Sequence, residues 1–311
     1  MIPVRFSWLL GMPDSIVVAT MTRQYMVLAV GVVSVSFAAI FIRLADEAPH
    51  LVIAAYRLCI ASLVIWPIAW ARSRDEFRRL ARRDVIMALI SGAFLALHFG
   101  LWIASLKYTS VASSVVLVTA NPIFVAIASY LLFRERLGRQ TVLGIAVCLI
   151  GAVLIGYGNW RLGPDPLLGG VLALLGALAV AGYLLIGRRL RQNIGLLTYA
   201  SLTYSSAAVI LLISALAFGY SLFGYSPNTY LMLVLLAIVP QLLGHSSLNW
   251  SLRFVSATLV TIAVLGEPVI ATALAYLMLH EAPTWPEIGG GILILAGIFV
   301  AFRKTAAPLS R

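Results

Sequence analysis

Two proline-containing dipeptides, Asn121-Pro122 and Glu267-Pro268, lie near the middle of two long apolar segments. A proline inside a helix removes one backbone hydrogen bond and frees the carbonyl group four residues earlier. In lipid, a free carbonyl is costly unless it faces a polar cavity or a neighbouring helix. The pattern predicts a pair of kinked helices, at matching depth, that line a polar pathway. The alternative is that both kinks serve packing alone.

Glu267 carries the most chemical information of any single residue. A carboxylate near the middle of a bilayer is costly when ionised, so it must be paired, hydrated or protonated. It could bind a substrate ammonium group or exchange a proton during transport. It could instead pair with Arg57, which lies inside the second apolar segment and would then act as a gating or structural charge partner. The sequence leaves both interpretations open.

Two histidines occupy nearly equivalent positions in the two halves of the chain. His98 and Trp102 are four residues apart, as are His245 and Asn249, so each pair shares one face of its helix. Histidine can bind a carboxylate or titrate near neutral pH, and tryptophan can stack on a cation. The spacing predicts that both pairs face the pathway, although a hydrogen-bonded packing role is the ordinary alternative for each histidine.

Other polar residues of the apolar segments are weaker candidates for lining the same pathway, because packing is an ordinary role for each of them. They are Thr119, Tyr183, Tyr56, Tyr204 and Trp250. The chain has no Walker A lysine, GxSxG or HExxH motif and no metal-ligand spacing, and its two cysteines lie in apolar stretches. The sequence therefore predicts no catalytic residues, no metal and no cofactor.

The composition requires these residues to be held by membrane-spanning helices. Of the 311 residues, 62% are hydrophobic and 11% charged, and the mean hydropathy is +1.01. These values exclude a soluble enzyme, a disulfide scaffold and a disordered regulator. Ten apolar segments have the length of a span: 25–44, 51–71, 85–106, 112–133, 140–158, 167–187, 196–218, 229–250, 256–279 and 287–302. The fold class is an all-α polytopic membrane protein with ten transmembrane helices.

The basic residues predict the orientation of these helices. Eighteen lysines and arginines, six of them in residues 72–84, fall in the segments on the N-terminal side of the membrane, against three on the other side. The positive-inside rule places both termini in the cytoplasm. The same rule accounts for the net charge of +11, so we expect contact with a lipid bilayer and no nucleic-acid partner.

An internal repeat relates the two halves. Residues 105–112, SLKYTSVA, match residues 251–258, SLRFVSAT, and the offset of 146 continues without a gap through Glu135 and Glu281 to the glycines of the fifth and tenth segments. A repeat of five spans inverts its second copy, as in many secondary transporters. The arginine-rich end of span 4 and the end of span 9, which lacks lysine and arginine, agree with inversion. A purely structural duplication is the alternative.

The repeated segments also resemble a known family. LKYTSVASSVVLVTANPIFVAIASYLLFRERLGR and LRFVSATLVTIAVLGEPVIATALAYLMLHEAPT are similar to the EamA family of the drug/metabolite transporter superfamily. The resemblance covers nearly the whole chain from about residue 25, and it departs from many members at HEAPTWPE, residues 280–287. It implies a bacterial inner-membrane exporter of amino acids and related metabolites, driven by gradients rather than ATP. It also implies that spans 1–4 and 6–9 surround the cavity.

These observations divide the chain into four parts. We expect residues 1–20 to be disordered or to precede the natural start at Met21. The predicted parts are an N-terminal extension at 1–24, a first EamA repeat at 25–160, a second repeat at 161–303 and a cytoplasmic tail at 304–311.

The preferred function is export of small metabolites, chiefly amino acids, by alternating access across the bacterial inner membrane. The predicted substrate-binding residues are His98, Trp102, Thr119, Asn121, Tyr183, His245, Asn249 and Glu267, with Arg57 as a gating or charge partner and Pro122 and Pro268 as helix kinks. The alternatives are a drug or organic-cation exporter and, in a different class, a membrane-embedded enzyme that acts on lipid. The protein would be a monomer or a homodimer through spans 5 and 10, whose glycines permit close contact.

Overall fold

The computed structural model describes residues 14–134, 138–158, 163–279 and 284–302, and every regular element within these ranges is a helix. The elements are α1 Asp14–Ser36, α2 Ala38–Leu44, α3 His50–Arg79, α4 Arg82–Ser105, α5 Val111–Val118, α6 Asn121–Phe133, α7 Arg139–Gly158, α8 Pro166–Leu190, α9 Leu196–Ala217, α10 Pro227–Leu236, a π-helical segment Ala237–His245, α11 Ser246–Ser251, α12 Ala257–Val264, α13 Glu267–Leu279 and α14 Trp285–Phe302.

Eight helical stretches in the described ranges are long and apolar enough to cross a membrane. The predicted fifth and tenth spans also form helices, but their apolar parts, Arg139–Ile155 and Ile288–Phe302, are shorter. The chain is therefore an all-helical, multi-pass membrane protein.

The N-terminal helix begins earlier than the sequence predicted. α1 starts at Asp14, within the stretch assigned to an extension, and continues without a break into the first apolar segment. The sequence contains no proline or glycine between Asp14 and Val30, so nothing stops a helix that propagates from the apolar segment. Residues 1–13, the tail at 304–311, the equivalent pair Glu135 and Glu281, and the first part of HEAPTWPE lie outside the described residues.

The two predicted proline kinks coincide with interruptions of the helix. α5 ends at Val118 and α6 begins at Asn121, while α12 ends at Val264 and α13 begins at Glu267. Each bound of α12 and α13 thus lies 146 residues after the corresponding bound of α5 and α6. The prolines fall in the first turn of the new helix, where an intrahelical hydrogen bond from their nitrogen is not needed.

The eighth apolar segment has a different irregularity. Between α10 and α11 the chain forms nine residues of π-helix, Ala237–His245, which contain Pro240. Proline cannot donate to the carbonyl four residues earlier, and π-helical turns insert an extra residue where the regular ladder fails. The widened turn leaves both Gln241 and His245 buried in the bundle.

Close helix contacts hold the bundle together, with α4 against α8 and α9, α3 against α9, and α7 against α14. At the last of these contacts Gly144 lies opposite Gly297 and Gly151 opposite Gly290, so the two helices run antiparallel. The Cys148 thiol donates to the Ile294 carbonyl at 3.4 Å between them. The glycines that suggested a dimer surface therefore face each other within one chain.

We expect Gly290→Ala to destabilise the protein by about 1–3 kcal/mol, the usual cost of overpacking. A Cβ atom at residue 290 would lie 2.4 Å from the Gly151 carbonyl oxygen, which is backbone and cannot rotate away. Gly289→Ala is the matched control, because its Cβ atom would meet only Leu154 at 3.5 Å. Thermal unfolding in detergent should separate the two variants, and equal midpoints would contradict this account of the contact.

Carboxylates connect distant helices at both ends of the bundle. At the first end, which carries the loops 45–49, 106–110 and 218–226, Glu47 accepts hydrogen bonds from the Ser226 amide at 2.9 Å and the Thr229 hydroxyl at 3.0 Å. These bonds lower the pKa of Glu47 and place its charge at the N-terminus of α10. At the second end, which carries the loops 80–81, 191–195 and 252–256, Glu76 accepts from the Gly195 amide at 2.6 Å.

Acidification should remove the contribution of Glu47. Its pKa in the folded protein lies below the ordinary value of 4.5, so the carboxylate stabilises the fold above that pH and the effect disappears as the pH falls through the lowered pKa. We expect the unfolding midpoints of the wild type and Glu47→Gln to differ at about pH 7 and to converge towards about pH 3. Thr229→Val should give a smaller change of the same kind, and a difference that does not depend on pH would contradict this role.

Candidate functional site

A cavity lies in the middle of the bundle, beside the helix interruptions, and its empty space together with the part open to its surroundings amounts to about 490 Å³. It is lined from both halves of the chain by Val35, Ala38, Arg57, His98, Trp102, Val118, Thr119, Asn121, Val180, Leu184, His245, Leu248, Val264 and Glu267. We call this space the central cavity. Its polar residues come from five helical elements and from the interruption between α5 and α6, at sequence positions up to 210 residues apart.

Most of the predicted site residues meet in this cavity. Those that line it directly are His98, Trp102, Thr119, Asn121, His245, Glu267 and Arg57. Pro122 and Pro268 follow lining residues in the first turns of α6 and α13.

Tyr183 and Asn249 do not line the cavity but form a polar layer behind it. The Asn249 amide donates to the Tyr183 hydroxyl at 2.6 Å and to the Tyr204 hydroxyl at 3.2 Å. The Tyr183 ring lies 6.1 Å from the His245 ring, centroid to centroid. Tyr183 thus lies beside the histidine that faces the cavity, and the structure places both residues one layer further from the cavity than the sequence predicted.

Arg57 is fully buried and is held by two contacts. Its Nε atom donates to the Gln241 side-chain oxygen at 2.9 Å, and its guanidinium carbon lies 4.0 Å from the centroid of the Phe99 ring. Among the described residues, neither terminal nitrogen has a hydrogen-bond partner. These nitrogens therefore make no hydrogen bond to Glu267, although both residues line the cavity.

Glu267 and Asn121 occupy the first positions of α13 and α6. Both are almost completely buried. The N-terminus of a helix carries unpaired N–H groups and a partial positive charge, which stabilise a carboxylate there. On the other side of this interruption, Thr119 follows the last residue of α5. Its hydroxyl donates to the Val115 carbonyl at 2.8 Å and so supplies a hydrogen bond to the backbone at this helix end. The interruptions thus place helix ends, rather than apolar helix walls, beside the cavity.

The two histidines lie close together and line the same cavity. The centroids of the His98 and His245 rings are 6.4 Å apart, and His98 is stacked on Trp102 with an interplanar angle of 8°. His98 Nδ1 lies 3.0 Å from the Gly176 carbonyl oxygen, which can only accept, so Nδ1 carries a proton. When neutral, His98 then has Nε2 available as an acceptor.

Sequence reasoning missed Gln241 and Phe99, which hold Arg57. Gln241 could have been identified, because a buried amide next to a proline in an apolar segment needs a partner. Nothing in the sequence indicated that Phe99 contacts Arg57, since an aromatic residue in an apolar segment usually serves packing. Within the described ranges, no group of three or more histidine, cysteine, aspartate or glutamate side chains could hold a metal ion.

A second cavity lies next to the central cavity towards the first end of the bundle, and its empty space together with the part open to its surroundings amounts to about 750 Å³. It contains the charged residues Arg43, Asp46 and Lys107 and is otherwise lined by apolar side chains. The two cavities adjoin at neighbouring residues of α2 and α4, because Ala38 and Trp102 line the first while Ala39 and Ile103 line the second.

Comparison with known proteins gives a consistent result. The chain is 25% identical over 254 residues to the uncharacterized transporter YdfC of Bacillus subtilis, with 81% of each chain covered. It is 27% identical over 256 residues to an uncharacterized transporter of Archaeoglobus fulgidus, with 81% of this chain and 88% of the relative covered. A protein of known crystal structure has the same fold, with a TM-score of 0.74 and 20% identity over 92% of this chain and 99% of the other.

The model of the EamA-like transporter family matches the chain twice, at residues 22–157 and 167–303. Together these matches include every residue that lines the central cavity. The resemblance inferred from the sequence is therefore confirmed, and the chain belongs to the EamA-like transporter family.

Proposed function

We propose that the protein is a secondary exporter of small zwitterionic metabolites, chiefly amino acids, that bind in the central cavity. The observation that carries the proposal is a buried arginine and a buried glutamate in one cavity, without a hydrogen bond between Glu267 and the terminal nitrogens of Arg57. Separated opposite charges in an apolar bundle are costly unless a complementary molecule lies between them. A free amino acid carries both charges in a small volume.

Two inverted repeats of five helices are the arrangement that we propose for transport. The family model matches each half separately, and the interrupted helices α5–α6 and α12–α13 are related by the offset of 146. The same offset relates Gly144 to Gly290 and Gly151 to Gly297. The contact of Gly144 with Gly297 therefore corresponds to the contact of Gly290 with Gly151. Such reciprocal, antiparallel contacts are expected at a two-fold axis in the membrane plane. They support ten membrane-crossing helices, with α7 and α14 as the fifth and tenth.

Alternating access would move the two halves relative to each other around the central cavity. In this proposal the second cavity is part of the outward path, because it lies towards the first end of the bundle and is lined by residues next to those of the central cavity. The hydrogen bonds of Glu47 and Glu76 are formed together in this structure, so in this proposal each would have to open at a different stage of the cycle. The family implies a gradient as the energy source.

The orientation follows from the loop charges. Residues 72–84 contain six arginines and lie at the second end, which we assign to the cytoplasm of a bacterial cell with both termini.

Labelling should place equivalent loops on opposite sides of the membrane. Single cysteines introduced after Glu135 and after Glu281 are predicted to react with a membrane-impermeant thiol reagent from the cytoplasm and from the outside, respectively, in a background where Cys59 and Cys148 are replaced by serine. Labelling of both positions from the same side would exclude the inverted repeat.

Replacement of Glu267 by glutamine should reduce export at least about tenfold, because an amide keeps the size but not the charge that binds an ammonium group. The measurement is efflux of labelled amino acids from proteoliposomes, with and without a pH gradient. Asp75→Asn, which makes the same chemical change at an exposed residue of the 72–84 region, is the control and should export normally. Unchanged efflux by Glu267→Gln would remove the functional role of this carboxylate.

The same assay discriminates the other candidate substrates. Glu267 and the stacked Trp102 would also suit an organic cation, but the buried Arg57 in the same cavity would repel it. Efflux of organic cations without amino acids would therefore favour the cation exporter. The relatives are named as transporters, which favours transport over lipid chemistry.

A further inference from the structure

Five buried polar atoms around the central cavity have no hydrogen-bond partner among the described residues. They are Arg57 Nη1, Arg57 Nη2, Trp102 Nε1, Asn121 Oδ1 and His245 Nδ1. Buried polar groups are almost always satisfied in proteins, so a concentration of unsatisfied groups around one cavity indicates a ligand with complementary groups. Three of the five are obligatory donors and require an acceptor.

The residues around Arg57 orient its guanidinium group for such a ligand. The Nε–Gln241 bond and the Phe99 ring fix the plane of the guanidinium group. The two terminal nitrogens remain and present parallel N–H groups, the geometry that matches the two oxygens of a carboxylate. The π-helical segment is essential to this arrangement because it places Gln241 inside the bundle.

We propose that Arg57 binds the carboxylate group of the substrate with both terminal nitrogens, and that Gln241 is a positioning residue for Arg57. Trp102 donates from its indole nitrogen to the same end of the substrate. Glu267 and Asn121 accept from the ammonium group at the other end. This proposal rests on the proposed transport function. It goes further by stating how the substrate is oriented and that the site requires a carboxylate group.

A carboxylate fits better than a phosphate group. The central cavity contains one arginine and one glutamate, so its formal charge is zero with neutral histidines. A zwitterion leaves that balance unchanged, whereas a phosphate dianion would bury net negative charge near Glu267.

The site should therefore discriminate strongly against molecules that lack a free carboxylate. A site whose buried donors lose their acceptor typically rejects an analogue by several orders of magnitude. We expect the amide of an amino acid, and the amine that lacks the carboxyl group, to be exported at least about 100-fold less efficiently than the amino acid itself.

The test uses the full chain in proteoliposomes. The probes are labelled L-alanine, L-threonine, L-leucine and L-phenylalanine, the carboxamide of each, and the corresponding decarboxylated amine. Export of at least one acid, with its amide and amine about 100-fold weaker, supports the proposal. Export of an amide or amine as efficiently as its acid overturns the carboxylate subsite but leaves the transport function intact. No export of any probe, and no thermal stabilisation by any, contradicts both.

Variants separate the roles of Arg57 and Gln241. Arg57→Lys keeps the charge but loses the bidentate geometry, and should reduce the acid-to-amide preference to about tenfold. Gln241→Leu removes the partner of Nε and should raise the KM for the acid more than it lowers kcat. Arg74→Gln, at an exposed arginine outside both cavities, is the control. An unchanged acid-to-amide preference in folded Arg57→Lys would overturn the proposal, and the wild-type probe series decides independently if a variant fails to fold.

Discussion

The hydrogen bond between Arg57 and Gln241 fixes a charged group in the middle of an apolar bundle, and the central cavity is organised around that group. The guanidinium is completely removed from solvent, yet only one of its nitrogens has a hydrogen-bond partner among the described residues. Burying a charge in this way costs free energy that must be offset by partners. Phe99 offsets part of it through its ring face, and Glu267, which lines the same cavity, supplies the opposite charge.

The helix interruptions allow polar groups to enter the bundle at all. A continuous transmembrane helix satisfies its own backbone and presents only side chains to its neighbours. At α5–α6 and α12–α13 the ladder stops beside a proline and exposes helix ends next to the cavity. The π-helical segment interrupts the eighth apolar segment near the same depth and carries His245 to the cavity. Each interruption loses backbone hydrogen bonds, and a polar cavity can offset this loss by satisfying the freed groups.

The contact between α7 and α14, unlike the region around the cavity, is a close packing of two uninterrupted helices. Glycine at four positions lets two backbones approach closely, and a methyl group at any of them would collide with the opposite helix. Helix association in lipid depends on such close contact because burial of apolar surface gives little advantage there. Among the described residues, neither helix contributes a side chain to the central cavity, in agreement with the family resemblance, which implied that spans 1–4 and 6–9 surround it.

The sequence by itself determined the family, the apolar segments to within a few residues in most cases, and the positions of both proline interruptions. Length, hydropathy and proline are local properties, and a helix in lipid has few alternatives. It also identified seven of the polar residues that line the central cavity, since a polar side chain in an apolar span is conspicuous. Only the tertiary structure decided which of these side chains meet, that Gln241 rather than Glu267 hydrogen-bonds Arg57, and that Tyr183 and Asn249 lie behind the cavity. The physical reason is that lipid and bundle interior are both apolar, so hydrophobic periodicity cannot reveal which face of a membrane helix points inward.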